Sequence, residues 1–531
     1  MSFVKQSGKK LINAYCLVIY AVLSAFITSH FSKYVTDNDA FLYLSIANKY
    51  AHGHFYEAIN DYWSPLLSWL LTPFIILKVD GILSIRITQF LIGGLTIIGF
   101  IKIVSAFNLS KWLQFISLLI AILFVTYFSI EETPDVLFAG ILLWYIYFIN
   151  KVDILLNNRN AAFIGFLGAL LYFTKAIGFY IFLTHITCYV IYWLLKRKNL
   201  RTTILKQYLS ALIVFTAISS VWITALTFKY HHLTISDAGK YNFAIVGPKN
   251  ISLVEINIPL KHPINTGVFD LPDKYSLNYW ERPQVSTAAM LWNPFSSSAN
   301  FIFFLHLIKQ NFLRLYYDIL FRLSFALWIL SVVLFSFVKK EILISDFKIL
   351  SLIVLAALLV LPYISIFVMP RYLLAAELLL FIATVYNFNA IEISSNRARG
   401  AIILLVFIAT ITIGRYWLIN FKQYDNSRTD FQLAYSNINK LAIKGSIVSI
   451  QAGYDAMLST SLLTYYTHNP YLGQIPLDDV KEKKYQPLYN KVKYLFVWNF
   501  NYYNDTLFTN FNTVFLDTAS HLKIFDITKH Q

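Results

Sequence analysis

Seven charged side chains stand out against an apolar background in this chain: Asp37, Asp39, Glu131, Glu132, Asp135, Lys175 and Arg371. Each lies a few residues beyond the end of a strongly apolar run. Carboxylates this close to a membrane face are costly to desolvate and are kept for pairing, anchoring or chemistry. A carboxylate can take a proton from an attacking hydroxyl or amine, and fixed cations can hold charge that builds on a leaving group. Arginine adds bidentate recognition of phosphate and stays charged. The segments that carry these residues are TDNDAFLYLSIA (36–47), SIEETPDVLFA (129–139), LLYFTKAIGFY (170–180) and VMPRYLLAAELLLF (368–381).

The elements that position them follow from composition. Of the 531 residues, 57% are hydrophobic, 17% aromatic and 14% charged, with mean hydropathy +0.57. That is too apolar for a soluble globule. Apolar runs near the ~20 residues needed to cross a ~30 Å hydrocarbon core recur along the chain. The fold class is therefore an α-helical polytopic membrane protein, with the lipid bilayer as its first partner. The net charge of +16 would suggest nucleic acid in a soluble protein. Here it sits largely in short loops, where it orients the chain, and no nucleic-acid partner is expected. Cys16 and Cys188 both fall inside apolar runs, so no disulfide framework or Cys/His zinc spacing is present. Lys5, Lys9 and Lys10 precede the first apolar run, which lacks a small-residue cleavage site and reads as an uncleaved first helix.

Basic residues at Lys5 to Lys10, Lys111, Lys151, Arg159, Lys196 to Arg201, Lys339, Lys340, Arg397 and Arg399 mark the cytoplasmic side. They imply about eleven spans, near 12–32, 82–107, 112–130, 136–150, 161–174, 176–195, 206–228, 317–338, 347–368, 372–391 and 400–419. All seven charged residues then fall at external helix ends. The membrane domain is 1–419, with external loops at about 33–81 and 229–300. Pro65 and Pro73 divide the apolar part of the first loop into short interfacial helices. The aromatic residues scattered from Tyr230 to Trp292 argue for order in the second. Residues 420–531 form a small external α/β domain, with strands at 446–450, 493–498, 512–517 and 521–527 and a helix at 455–467.

The four charged segments resemble the type-C glycosyltransferases, membrane enzymes that take sugars from polyprenyl-phosphate carriers, and within them the lipid A aminoarabinose transferase and protein O-mannosyltransferase group. The resemblance is strongest over about 33–195 and recurs near 368–381. It implies that Asp39, in Asn38-Asp39-Ala40-Phe41-Leu42-Tyr43, is the general base of an inverting sugar transfer, with Asp37 as the alternate base or a metal-facing partner. It implies that Asp135, with Glu132, orients the acceptor, Asp135 alternatively orienting a cationic residue, and that Lys175 and Arg371 bind the donor phosphate. Tyr372 assists Arg371, and Arg86 in GILSIRITQF (81–90) is a further phosphate candidate. Several relatives carry Lys or His before the proline where this chain has Trp63 and Ser64 before Pro65, so one phosphate contact is absent or replaced by Arg86. The implied partners are a polyprenyl-phosphate-linked sugar and a lipid, glycan or protein acceptor. The implied setting is the bacterial inner membrane with the site on the periplasmic face. No cofactor is assigned; a divalent cation held by Asp37, Asp39 and Asp135 stays open, since their spacing is not diagnostic.

Structural roles compete with these. Asp37 or Asp39 suits a helix N-cap, Pro134 with Asp135 and Glu132 suits a helix start, Lys175 can snorkel to headgroups, and Arg371 can flank a helix. At the level of function the alternatives are a transporter or flippase for lipid-linked saccharides, or an O-antigen ligase or polymerase. A transporter would place ionisable residues near the midplane and show repeated halves; this chain shows no visible repeat. A ligase would rely on arginine and histidine in a large late loop.

Overall fold

A computed structural model describes residues 2–30, 37–107, 109–150, 157–248, 267–283, 291–339, 347–394, 396–426, 436–438, 443–450, 454–475, 491–500, 508 and 511–528. Its helices, in chain order, are α1 (Ser2–His30), α2 (Asn38–Ala51), α3 (Phe55–Ala58), α4 (Leu66–Ile76), α5 (Gly81–Ser105), α6 (Lys111–Ser129), α7 (Asp135–Ile149), α8 (Asn158–Thr174), α9 (Ile177–Lys196), α10 (Arg201–Tyr230) and α11 (Ala238–Ile245). They continue with α12 (Ser298–Tyr317), α13 (Ile319–Lys339), α14 (Phe347–Ile364), α15 (Pro370–Ser394), α16 (Asn396–Asn426) and α17 (Tyr454–Thr467). Among the described residues, eight helices are long and apolar enough to cross a membrane. Each of the eight matches one of the spans expected from the sequence. The other three expected spans correspond to α7, α8 and α14, which are shorter or less apolar.

Two departures have simple causes. Pro73 lies inside α4 instead of dividing it; the helix starts at the turn after Pro65, and Thr72 donates to the Ser68 carbonyl one turn back at 2.8 Å. Helix α12 was not expected, because His306, Lys309, Gln310, Asn311 and Arg314 interrupt its apolar pattern. It ends at Asp318, whose backbone N–H returns to the Arg314 carbonyl and whose carboxylate caps the next helix at Phe321 N–H, 2.8 Å away.

Small residues let the spans approach closely, as they must where lipid gives no hydrophobic drive to helix association. Gly165 on α8 faces the backbone of Ala211 on α10, so that a Cβ there would meet its carbonyl. Polar side chains inside the bundle are matched to one another. His185 bridges Tyr145 at 2.8 Å and Ser351 at 3.0 Å, tying α9 to α7 and α14.

The C-terminal unit is a five-stranded sheet of β1 (Ile447–Ile450), β2 (Tyr471–Ile475), β3 (Tyr494–Trp498), β4 (Asn512–Asp517) and β5 (Leu522–Asp526), in the order β2-β1-β3-β5-β4. β1 runs parallel to β2 and β3, while β5 is antiparallel to β3 and β4. Four strands and α17 follow the sequence expectation within a residue or so. β2 was missed: its sequence YLGQI carries a glycine and a glutamine and shows no clean alternation.

This sheet is joined to the second long loop. Residues 267–283 run along β2, with Phe269 N–H donating to Leu472 O at 2.8 Å and Tyr471 N–H donating to Leu277 O at 2.9 Å. Gly473, at φ +137°, lies against the Gly267 carbonyl, a conformation and approach that a side chain would block. The rest of that loop, 249–266 and 284–290, falls outside the described residues. Helix α17 packs on α2 through Phe41 and Tyr465, whose ring centroids are 5.9 Å apart, and Tyr466 donates to Asp80 at the start of α5 at 3.0 Å. The sheet, the loop and α2 thus share one end of the bundle.

The basic bias of the loops predicts that this end faces outward. In a Cys16→Ser, Cys188→Ser background, Lys274→Cys and Thr528→Cys, both exposed, should label with a membrane-impermeant thiol reagent on intact cells, and Lys198→Cys only after permeabilisation. The reverse pattern would overturn the orientation.

Candidate active site

Arg371 stands at the first turn of α15, where Pro370 begins the helix. Its guanidinium reaches back to the start of α2 and holds two carboxylates, Asp37 Oδ2 at 2.5 Å and Asp39 Oδ2 at 2.8 Å. The two acids do different work. Asp37 has extended backbone and is the N-cap of α2; its Oδ1 accepts the Asp39 N–H at 2.8 Å. The capping role therefore falls to Asp37. The Asp39 side chain, in the first helical turn, caps nothing and presents its carboxylate to Arg371.

A second ion pair stands beside the first. Lys175 ends α8 in extended conformation and pairs with Asp135 Oδ1 at 2.5 Å. Thr133 donates to the other Asp135 oxygen at 2.8 Å. Asp135 lies in the first turn of α7, behind Pro134. Tyr372 lies against both cations: its ring centroid is 4.5 Å from Lys175 Nζ and 5.4 Å from the Arg371 guanidinium carbon. Tyr363 stacks on the same ring at 4.6 Å. Arg371 is 7% exposed and Asp135 6%, while the Asp39 and Lys175 side chains keep 21% and 18% of their surface. Asp39 and Lys175 are thus the more open members of the two ion pairs, and Arg371 and Asp135 the more enclosed.

Electrostatics sets Asp39 apart. Burial first, and the Asp37 carboxylate second, push its carboxyl up to about 7, against the pull of Arg371. One guanidinium shared by two acids cannot fully offset desolvation and mutual repulsion. A carboxylate poised near neutrality is well matched to a general base.

The structure separates the remaining sequence candidates from this cluster. Arg86 and Glu132 pair with each other, Nε to Oε1 at 2.7 Å, with only 3% and 0% of their side chains exposed. Glu132 is turned inward by a left-handed backbone, φ +57°, unusual for a residue other than glycine. A buried guanidinium that satisfies a wholly buried carboxylate cannot turn to a lipid phosphate without stranding that charge. Arg86 as a phosphate ligand and Glu132 as an acceptor-orienting group are therefore replaced by a pair that fixes the α6–α7 turn. Trp63 does not fill the phosphate position either: its indole N–H donates to the Trp280 carbonyl at 3.3 Å. Among the described residues, no group of three or more His, Cys, Asp or Glu is arranged to hold a metal ion.

Sequence reading also missed the clamp that sets α2. Lys49, at the far end of that helix, is 3% exposed and pairs with Glu281 at 2.6 Å and Asp273 at 2.8 Å. Ser45 donates to Glu281 at 2.6 Å, and Arg282 grips Asp61 through two nitrogens, the shorter contact 2.8 Å. These contacts fasten the 267–283 segment to the first loop. No local pattern announces them, since the partners are more than two hundred residues apart.

With this geometry in view, comparison with solved structures is informative. No family model and no curated protein matches the sequence. Solved structures do match the fold, among them two crystal structures of one protein. ArnT from Cupriavidus metallidurans bound to undecaprenyl phosphate aligns with a TM-score of 0.55 at 11% identity, covering 98% of each chain. Its apo form aligns at 0.52 and 11%, covering 97% of this chain and 98% of the other. The chain shares the fold of ArnT. ArnT is a GT-C glycosyltransferase, so the GT-C-like architecture expected from the sequence is present from end to end. A fainter likeness, TM-score 0.49 at 11% identity, is to the mycobacterial arabinofuranosyltransferase AftD, spanning 97% of this chain and 40% of that one.

The Arg86–Glu132 pair gives a direct check on the division between site and scaffold. Arg86→Met should destabilise the protein by about 3–5 kcal/mol, the usual result of stranding one partner of a buried pair. Arg86→Met with Glu132→Leu should recover most of that loss. Thermal unfolding of the purified variants measures both. Arg86→Met with unchanged melting but impaired donor use would return Arg86 to the phosphate set.

Proposed function

We propose that this protein is a membrane glycosyltransferase that moves a sugar from a polyprenyl-phosphate carrier to a hydroxyl or amine acceptor on the external face, with inversion at the anomeric carbon. The observation that carries the reading is the Arg371 bridge to Asp37 and Asp39, set beside the Lys175–Asp135 pair at one end of an ArnT-like bundle. Undecaprenyl phosphate is bound in the ArnT structure, which supports a polyprenyl-phosphate donor here.

The chemistry follows from the groups present. Asp39 takes the acceptor's proton as its oxygen or nitrogen forms the new bond to the anomeric carbon. The bond from that carbon to the phosphate oxygen breaks, and its electron pair leaves with the phosphate. The phosphate is already a good leaving group, so what it needs is cationic stabilisation rather than protonation. Arg371 couples the two ends of the step. Protonation cancels the Asp39 charge and weakens its hold on the guanidinium while negative charge grows on the phosphate. Lys175, partly exposed across the Tyr372 ring, is the second cation, and Asp135 positions it. A single displacement with one base gives inversion.

Asp39→Asn keeps size and much of the hydrogen bonding but removes the basic oxygen. Turnover should fall about 10²–10⁴-fold, the usual worth of general-base catalysis, with donor binding largely kept. Asp37→Asn should cost much less, since Asn is nearly as good an N-cap as Asp. Full activity in Asp39→Asn would end the assignment, and loss confined to Asp37→Asn would move the base by two residues. Because the base works ionised and its carboxyl lies up at about 7, wild-type turnover should climb with pH through that value. A profile already flat from pH about 5 upward, as an ordinary carboxylate gives, would contradict it. Lys175→Ala should raise the donor KM by the equivalent of about 1.5–3 kcal/mol, the loss of one charge-assisted contact; unchanged donor dependence would remove Lys175 from the phosphate site.

A further inference from the structure

Helix α12 has two faces, and the fold uses only one of them. Leu307, Asn311 and Leu315, spaced four apart, are buried against the bundle. On the opposite side Phe301, Leu305, Phe312 and Tyr316 form a ridge at helical spacing, each 41–63% exposed. Lys309 and His306 are exposed along one edge of that ridge, and the helix contains no acidic residue. A row of large apolar groups left open in this way marks an interaction surface. One residue, Asp318, separates the helix from the membrane span α13, whose exposed surface is likewise apolar at Ile319, Phe325, Ile329 and Val333. An apolar ridge with a basic edge, continuous with a lipid-facing span, has the pattern of a helix lying in a phospholipid interface.

The buried face reaches the active site. Asn311 donates both amide hydrogens to the turn between α14 and α15, to the Ile364 carbonyl at 2.9 Å and the Ile366 carbonyl at 3.0 Å. Arg314 donates to Asn311 Oδ1 at 3.1 Å and lies 4.3 Å over the Phe367 ring, and Leu307 packs in one cluster with Ile366 and Phe367. This turn leaves α14 just after Tyr363, which stacks on Tyr372, and ends at Pro370, beside Arg371. We propose that α12 lies on the outer phospholipid leaflet, its apolar ridge among the acyl chains and Lys309 at the lipid phosphates, and that this seating, carried through Asn311, holds the turn that sets Arg371. The seating stands on the helix alone; its effect on Arg371 rests on the reading of that residue as a donor-phosphate ligand. Asn311 is a positioning residue here: it acts through two backbone carbonyls and touches neither donor nor acceptor. The leaflet that delivers the lipid carrier then also fixes the cation that receives its phosphate.

The test uses the full-length protein in the Cys16→Ser, Cys188→Ser background, reconstituted in phosphatidylcholine–phosphatidylglycerol vesicles with and without lipids brominated on the upper acyl chain. A fluorescent label on Leu305→Cys should be quenched by the bromines to at least about half the extent of one on Phe325→Cys in α13, as a helix sunk into the acyl boundary requires. A label on Lys274→Cys should escape quenching. Phe312→Cys, on the same ridge, gives a second reading should Leu305→Cys fail to fold. Labels at 305 and 312 quenched no more than the one at 274 would overturn the seating; a second copy or another protein over the ridge gives that result too, by shielding the label from lipid. For the effect on Arg371, Leu305→Asp with Phe312→Asp drives the ridge off the acyl chains and leaves Asn311 in place. Its affinity for undecaprenyl phosphate in the vesicles should fall about tenfold, the lower end for losing a charge-assisted contact. Leu305→Met with Phe312→Leu, which keeps the ridge apolar, should bind as wild type does. Equal affinity in the aspartate variant, or equal loss in both variants, would overturn the coupling. Quenching needs neither donor nor turnover, so a wrong reading of the enzyme leaves it unmoved; wild type that binds no undecaprenyl phosphate would fault that reading, and the coupling with it, while the quenching still decides the seating.

Discussion

The site is organised around a shortage of positive charge at Arg371. One guanidinium serves two carboxylates, and it joins the start of α2 to the start of α15 across 332 residues of sequence. Burial raises the Asp39 carboxyl most, and the neighbouring Asp37 adds to it, against the pull of the one guanidinium the two acids share. In the proposed reaction that same guanidinium meets the phosphate. Tyr372 lies against both cations, and Asp135, which pairs with Lys175, also acts on Asp39 and Arg371.

Such an arrangement has to be held from outside, because buried charges gain little net stability from one another once desolvation is counted. The holding is visible at both ends of α2. At its start Asp37 caps the helix and takes one arm of Arg371; at its end Lys49 is enclosed by Asp273 and Glu281. The 267–283 segment that supplies those two acids is itself bound along β2 of the C-terminal sheet. The C-terminal sheet, the 267–283 segment and α2 are thus linked in series. On the opposite side, the Arg86–Glu132 pair and the left-handed turn at Glu132 set the α6–α7 connection, a local strain that surrounding contacts must sustain.

Much of this was legible in the sequence, for identifiable reasons. Apolar run length marked the spans, since a bilayer imposes a length that a soluble core does not. Acids and bases at run ends marked Asp37, Asp39, Asp135, Lys175 and Arg371, because such residues are rare enough near a bilayer to be conspicuous. Alternation marked four of the five strands. Pairing was barely legible. Asp135 was read as orienting the acceptor or a cation, without naming Lys175 as that cation; Arg371 and Lys175 were read as phosphate ligands, when in this structure each is engaged by an acid, and Arg86, read the same way, pairs with Glu132. Residue type announces a charge but not its partner when the partner is hundreds of residues off. Helix α12 and strand β2 were missed because polar interruptions, and a glycine required by close backbone approach, blur the period that local reading depends on.

The central claim is that Arg371 is shared between the base and the leaving phosphate, and the structure of this protein with undecaprenyl phosphate bound tests it most directly. The expected result is a phosphate oxygen within hydrogen-bond distance of Arg371 and of Lys175, with the contact from Arg371 to Asp37 kept and the one to Asp39 lengthened. A phosphate bound elsewhere, with both carboxylates still on Arg371 and Lys175 still on Asp135, would contradict the account.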